Sequence, residues 1–132
     1  MIFLDSDIIS YYFIDKFDVK EKIRNALRSG EIICTTSVNV YEMLKGFRWK
    51  NNLQRENELF RLLVFIEVHS LSNDVINIAA DIYADLRRNG ITIGDSDILI
   101  AAIVIANNGT LVTNNTKHFG NIKQLKVVNW VH

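Results

Sequence analysis

Proline is absent from this chain, and cysteine occurs once. Without proline, turns must come from Gly, Asn, Asp and Ser. One thiol cannot form an intrachain disulfide, and it is too few for a zinc site. Cys34 lies in the apolar run Ile32-Ile33-Cys34, where a small core residue in a reducing compartment is expected. Long hydrophobic runs are also missing. The longest, Ile98 to Ala106, is too short to cross a bilayer, so no membrane partner is expected. The N-terminus shows neither a charged n-region nor a small-residue cleavage site, so no signal peptide and a cytoplasmic location are expected. Net charge is absent too, with 15 basic residues against 15 acidic ones. Proteins that merely coat nucleic acid are usually basic, so neutrality argues against such a coat. It leaves room for an enzyme whose acids are masked by a cation.

What is present is an ordinary globular composition, 48% hydrophobic and 23% charged. At 132 residues the chain reads as one domain over 1–132, large enough to bury a core unaided. Ile2-Phe3-Leu4 reads as a strand, Asp7 to Phe13 as a helix, and Val19 to Leu27 as a second helix stopped at Gly30. Glu31 to Thr35 is the second expected strand. Ser37 is a candidate N-cap for a helix running to about Leu44 and ending at Gly46. In that helix Val38, Tyr41 and Met43 or Leu44 would face the core. Asn52 to Ile66 carries a helical apolar stripe, and Val68 to Leu71 reads as a short strand. Ser72 or Asn73 then caps a helix ending before Gly90. Ile98 to Ala106 is apolar all round, as in a helix buried by neighbours. Thr110 to Thr113 and Lys126 to Val128 close the series as strands. Strands alternating with helices imply right-handed crossovers, a central parallel sheet and an α/β class of three layers, α/β/α.

Four acids stand where strands end or helices begin. Asp5 closes Ile2-Phe3-Leu4, and is either a helix cap or a ligand. Asp7 reads as a cap or surface group. Glu42 lies on the helix after the second strand, where taken alone a solvated surface acid is the plainer reading. Asp95 and Asp97 precede the apolar helix. One of them suits its N-cap and the other its first turn, where the macrodipole favours a negative charge. In open α/β sheets ligands bind outside the carboxyl ends of the strands, so acids distant in sequence can converge there. Clustered carboxylates repel, and a hard divalent cation, Mg²⁺ or Mn²⁺, removes that cost. Thr113-Asn114-Asn115 follows a strand and suits either a site or a turn. Lys117 and His118 could meet phosphates, although a surface or packing role fits His118 equally. Lys45, Arg48, Lys50 and Arg55, interleaved with Phe47 and Trp49, form the best candidate patch for nucleic acid. A solvated helix face fits the same residues.

Taken in order, these segments resemble the PIN-domain ribonucleases, and in particular the VapC-type toxins of toxin–antitoxin pairs. The resemblance spans the chain. It rests on Phe3-Leu4-Asp5-Ser6-Asp7, Ser37-Val38 through Glu42-Met43-Leu44-Lys45-Gly46, and Ile93-Gly94-Asp95-Ser96-Asp97 through Ala102. It continues through Leu111-Val112-Thr113-Asn114-Asn115, His118-Phe119, Leu125 and Asn129-Trp130. The resemblance implies that Asp5, Glu42 and Asp97 are catalytic and hold Mg²⁺ or Mn²⁺. It implies that Thr113 and Asn115 orient water or phosphate. Many relatives carry a further acid where this chain has Asn115, and Asp95 is the candidate supporting ligand in its place. The expected reaction is hydrolysis of structured RNA, such as tRNA, by a homodimer with an antitoxin partner.

Two alternatives belong to other classes. A phospho-receiver module is also a parallel α/β domain of this size, but it needs an acceptor Asp at a mid-chain strand end. Residues 43–64 contain no Asp. A PIN fold that only binds RNA or a partner is the other, and the intact Asp5, Glu42 and Asp97 argue against it.

Overall fold

The computed structural model describes residues 1–131. In chain order the elements are β1 (Ile2–Leu4), α1 (Ser6–Phe13), α2 (Val19–Arg28), β2 (Ile33–Thr36), α3 (Ser37–Trp49) and α4 (Leu53–Leu63). There follow β3 (Glu67–His69), α5 (Asn73–Arg88), α6 (Asp95–Ala106), β4 (Thr110–Val112), α7 (Thr116–Phe119) and β5 (Lys126–Val128). The strands form one sheet in the order β3-β2-β1-β4-β5, and every pairing is parallel.

The order explains the layers. From β1 the chain steps outward through β2 to β3, then crosses back to β4 and β5 on the far side of β1. Right-handed crossovers place the connecting helices on one face for one direction of travel and on the opposite face for the other. Accordingly Leu4, Ile33 and Val112 pack on Ile8 and Ile9 of α1, Val19 of α2, Met43 of α3 and Leu59 of α4. The alternate strand residues Phe3, Cys34 and Leu111 pack on α5, α6 and Phe119 of α7. The expected α/β/α architecture with a central parallel sheet is therefore present. Helix α6 buries Ile98, Ile100, Ala101, Ala102, Ile103 and Val104, as its all-apolar sequence requires. Gly109 is needed before β4, because a Cβ there would stand 2.6 Å from the Phe3 ring.

Several local expectations are corrected. Helix α3 runs through Gly46 to Trp49, and the left-handed residue that follows it is Asn51, with φ 52°. A glycine inside a helix costs about 1 kcal/mol relative to alanine; Leu44 and Phe47, packed against the core on either side of it, offset that. Its N-cap is Thr36 rather than Ser37, with Thr36 Oγ1 accepting from the Asn39 amide at 3.1 Å. Asn39 and Met43 consequently face inward, whereas Tyr41 is 64% exposed. Neither Asp95 nor Asp97 caps α6. The cap is Gly94, which has no side chain to offer, and both acids lie in the first turn. The third strand is Glu67–His69 rather than Val68 to Leu71. Among the described residues, no helix is long and apolar enough to cross a membrane.

Candidate active site

The strand order reverses at the β1–β4 pair, and each strand is followed there by a polar residue, Asp5 or Thr113. Thr113 Oγ1 donates to Asp5 Oδ2 at 2.7 Å across this junction. Asp5 Oδ1 accepts from the Ser6 amide at 2.8 Å, which caps α1, and from Asn39 Nδ2 at 2.8 Å. Thr36 Oγ1 in turn donates to Asn39 Oδ1 at 2.7 Å. That contact fixes which end of the Asn39 amide faces Asp5, and leaves Nδ2 shared with Ser6 Oγ at 2.9 Å. Thr36, Asn39 and Thr113 are fully buried, and Asp5 is nearly so. Asp5 is thus both cap and candidate ligand. Its carboxylate is immobilised by donors from three parts of the chain.

The other acids are held more loosely. Asp7 accepts from the Ile8 amide at 2.7 Å and from the Asn114 amide at 2.9 Å, tying α1 to the loop after β4. Burial, and then the charge of Asp5, raise its pKa. Glu42 is half-buried on α3. Burial first and Asp97 second raise its pKa, while a Ser96 hydrogen bond and the Lys45 charge oppose the shift. Asp97 is raised mainly by burial and further by Asp5, against a hydrogen bond from His118. His118 Nδ1 stands 3.5 Å from Asp97 Oδ2 and 3.2 Å from Asn115 Nδ2. The charge of Asp5, just past β1, thus reaches Asp7 in the first turn of α1, Glu42 midway along α3 and Asp97 in the first turn of α6.

The remaining expected residues divide. Asn115 sits beside the cluster, its amide donating to Thr113 Oγ1 at 3.0 Å. Asp95 is exposed, and it is not among the charges that raise Glu42 or Asp97. The basic patch splits as well. Lys45 stands 5.2 Å from the centre of the Tyr41 ring, and with Arg48 it lines a shallow groove along α3. Arg48 pairs with Glu56 at 3.1 Å, and Arg55 with Glu58 at 2.6 Å. Lys50 and Trp49 are exposed at the end of α3. Three residues of the site escape sequence reasoning: Asp7 as a member of the cluster, Asn39 and Ser96. A buried asparagine at Glu42 minus three, on the inward face of a helix, is the signal that marks Asn39.

The PIN-domain family model matches residues 2–125. Ribonuclease VapC2 of Rickettsia felis is 31% identical over 132 residues, 98% of each chain. The chain belongs to the PIN-domain family, among its VapC ribonucleases. Ribonuclease VapC10 of Mycobacterium tuberculosis is 28% identical over 126 residues, covering 96% of this chain and 91% of the relative. Among solved structures, VapBC2 of Rickettsia felis bound to a promoter DNA fragment contains a chain that superposes with a TM-score of 0.91. It is 28% identical, covering 98% of this chain and 99% of that one. DNA-bound VapBC of Salmonella typhimurium shares the fold at a TM-score of 0.86 and 21% identity, over 98% and 97% of the two chains. Membership in the VapC ribonucleases sets aside the phospho-receiver alternative.

Proposed function

We propose that this VapC-family chain is a Mg²⁺- or Mn²⁺-dependent endoribonuclease that cuts structured RNA, such as tRNA, as the toxin of a toxin–antitoxin pair. The observation carrying the proposal is the meeting of carboxylates at the β1–β4 junction, where Thr113 and Asn39 fix Asp5 and its charge reaches Glu42 and Asp97. Glu42 and Asp97 are each pushed toward the protonated form by burial and by another acid. A divalent cation held by Asp5, Glu42 and Asp97 offsets that repulsion, and an all-oxygen donor set suits a hard ion. Asp7 adds a fourth charge nearby. When bound, such an ion supplies Lewis acidity toward the phosphodiester and a more acidic water.

The residues of the chain supply position. Thr113 and Asn39 hold Asp5 in one orientation, so its free electron pairs keep one direction. Ser96, near Glu42, opposes the rise in its pKa. Asn115 and His118 face the cluster from the start and body of α7, where they orient water or a phosphate oxygen. Lys45, Arg48 and Lys50 extend a cationic edge from Glu42 along α3, suited to the flanking RNA backbone. Asp95 is left as a first-turn acid of α6, outside the ligand set.

A homodimer and an antitoxin partner complete the proposal, and the VapBC complex of Rickettsia felis supports the partner. A groove lined by Tyr12, Phe13, Leu62 and Phe65 and rimmed by Lys20, Arg61 and Glu58 offers that partner a surface of mixed character. The test is cleavage of folded tRNA and of an unstructured RNA with Mg²⁺, with chelator as control. Metal-dependent cutting of the folded RNA is the expected result. RNA binding without cleavage by the wild type would favour a non-catalytic RNA-binding role.

A further inference from the structure

A second group of metal-ligating side chains lies at the opposite side of the sheet from β4, on β2 and the edge strand β3. Parallel register pairs Cys34 with Glu67 and Thr36 with His69. Side chains alternate along a strand, so Cys34, Glu67 and His69 emerge on one face of the sheet. The Cys34 sulfur, a Glu67 carboxylate oxygen and a His69 ring nitrogen all lie within 4.8 Å of one another. His69 is held in place from two sides. Its Nε2 is 2.9 Å from Glu67 Oε1, and its ring stands edge-on to Phe3 at 5.3 Å between centroids. The three donors form a gradient from core to solvent. Cys34 is fully buried, the His69 side chain is 25% exposed and that of Glu67 54%.

The simpler account is a core cysteine beneath a surface ion pair. It explains each residue singly but not the meeting of a thiol, an imidazole and a carboxylate at one point. From the sequence, one thiol is too few for zinc. The fold supplies the two donors that the sequence leaves scattered. We propose that Cys34, Glu67 and His69 form a zinc-class metal site on the β2–β3 edge, separate from the acid cluster. Mixed sulfur, nitrogen and oxygen donors select Zn²⁺ over Mg²⁺. Three protein ligands leave the fourth tetrahedral position for water, on the solvent side of Glu67. Binding replaces the S–H bond of Cys34 by a sulfur–metal bond and releases one proton to solvent. Burial, with the charge of Glu67, pushes the free thiol up to about 11, so affinity rises steeply with pH. The metal would clip β3 to the sheet, where β2 is its only partner strand among the described residues.

Cobalt(II) is the probe, because a thiolate bound to it absorbs in the near ultraviolet. Titration of the full chain in excess Mg²⁺ is expected to give that band with one proton released per cobalt, and Zn²⁺ is expected to erase it. Cys34→Ser abolishes the band. His69→Gln, a partly exposed change that leaves the core intact, weakens cobalt binding by about tenfold or more. Asp97→Asn leaves the titration unchanged, which keeps this site distinct from the acid cluster. No thiolate band in the wild type, or full cobalt affinity in His69→Gln, overturns the proposal.

Discussion

The end of β1 and the start of α6 both present acids to the same cluster, and they are built in opposite ways. Asp5 accepts three hydrogen bonds from Ser6, Asn39 and Thr113, two of them from fully buried side chains. Helix α6 opens on Gly94 with no side-chain cap, and among the described residues Asp97 has only the 3.5 Å side-chain contact with His118. Asp5 belongs to the fold as much as to the site. Asp97 is held in reserve by the macrodipole of its helix and by little else. The difference teaches that one fixed carboxylate can set the geometry, while loosely partnered ones remain free to take a ligand.

The largest expected effect comes from removing the reserve charge. Asp97→Asn is expected to lower RNA cleavage by on the order of a hundredfold or more, since even outer partners of a metal ligand are worth 10–100-fold. Its fold stays intact. Cleavage at the wild-type rate by this variant would remove Asp97 from the chemistry. Metal should also read the contrast through stability. Mg²⁺ or Mn²⁺ at a hundred times its dissociation constant is expected to stabilise the native state by about 2.7 kcal/mol. Thermal melting across a metal titration measures this, and Asp97→Asn should lose most of the shift. A wild-type melting curve unmoved at millimolar metal contradicts the ligand set.

The fixed side of the comparison predicts a stability loss instead. Asn39→Ala strips Asp5 of one donor and leaves the Thr36 hydroxyl without its acceptor. The expected cost is about 1–3 kcal/mol, the usual range for stranding buried polar groups, measured by urea unfolding in chelator. A neutral result would mean that water replaces the amide and that Asp5 is not locked by it.

The pH dependence separates the two ends further. The pKa of Asp97 is raised from 3.8 in the fold, so the folded state holds its proton more tightly than the unfolded chain. That contribution to stability is present below pH 3.8 and is lost as pH rises through the raised value. In chelator, Asp97→Asn is therefore expected to melt above wild type at neutral pH, and the gap should close below pH 3.8. A gap independent of pH would assign the stabilisation to packing rather than charge.

The smallest effects concern the neighbours. Asn115→Asp adds a charge beside Thr113 and His118, and is expected to lower the Mg²⁺ concentration giving half-maximal cleavage. Asp95→Asn, at an exposed position, should leave it unchanged. If Asp95→Asn moves the midpoint and Asn115→Asp does not, the roles are reversed and Asp95 is the supporting acid.

Much of this was legible in the chain itself, for physical reasons. Period-two and period-3.6 patterns report on burial, which is why β1, α5, α6 and β4 fall close to their expected spans. Gly30 and Gly90 mark helix ends, because both sit at positive φ just beyond α2 and α5. Gly46 misleads because the same residue is tolerated inside a helix when neighbouring side chains pack well. Asp5 and Asp97 stood out because an acid beside a buried apolar run demands a partner, whereas Glu42, an acid midway along a helix, entered only through the family resemblance. Ser37 and Thr36 compete as caps with equal chemistry, and only backbone geometry separates them.

The sequence by itself determined the α/β alternation, the burial of α6 and the acids that needed explaining, because these follow from local periodicity and the cost of burying charge. The tertiary structure alone decided which polar groups meet. Asn39 reaches Asp5 from 34 positions away, and Thr113 from 108. Asp95 and Asp97 lie two residues apart, yet only Asp97 faces the cluster, because successive helix side chains point about 100° apart. Cys34, Glu67 and His69 meet because parallel register aligns two strands that the sequence separates with two helices. Such pairings depend on strand order, which brings together segments that no local pattern connects.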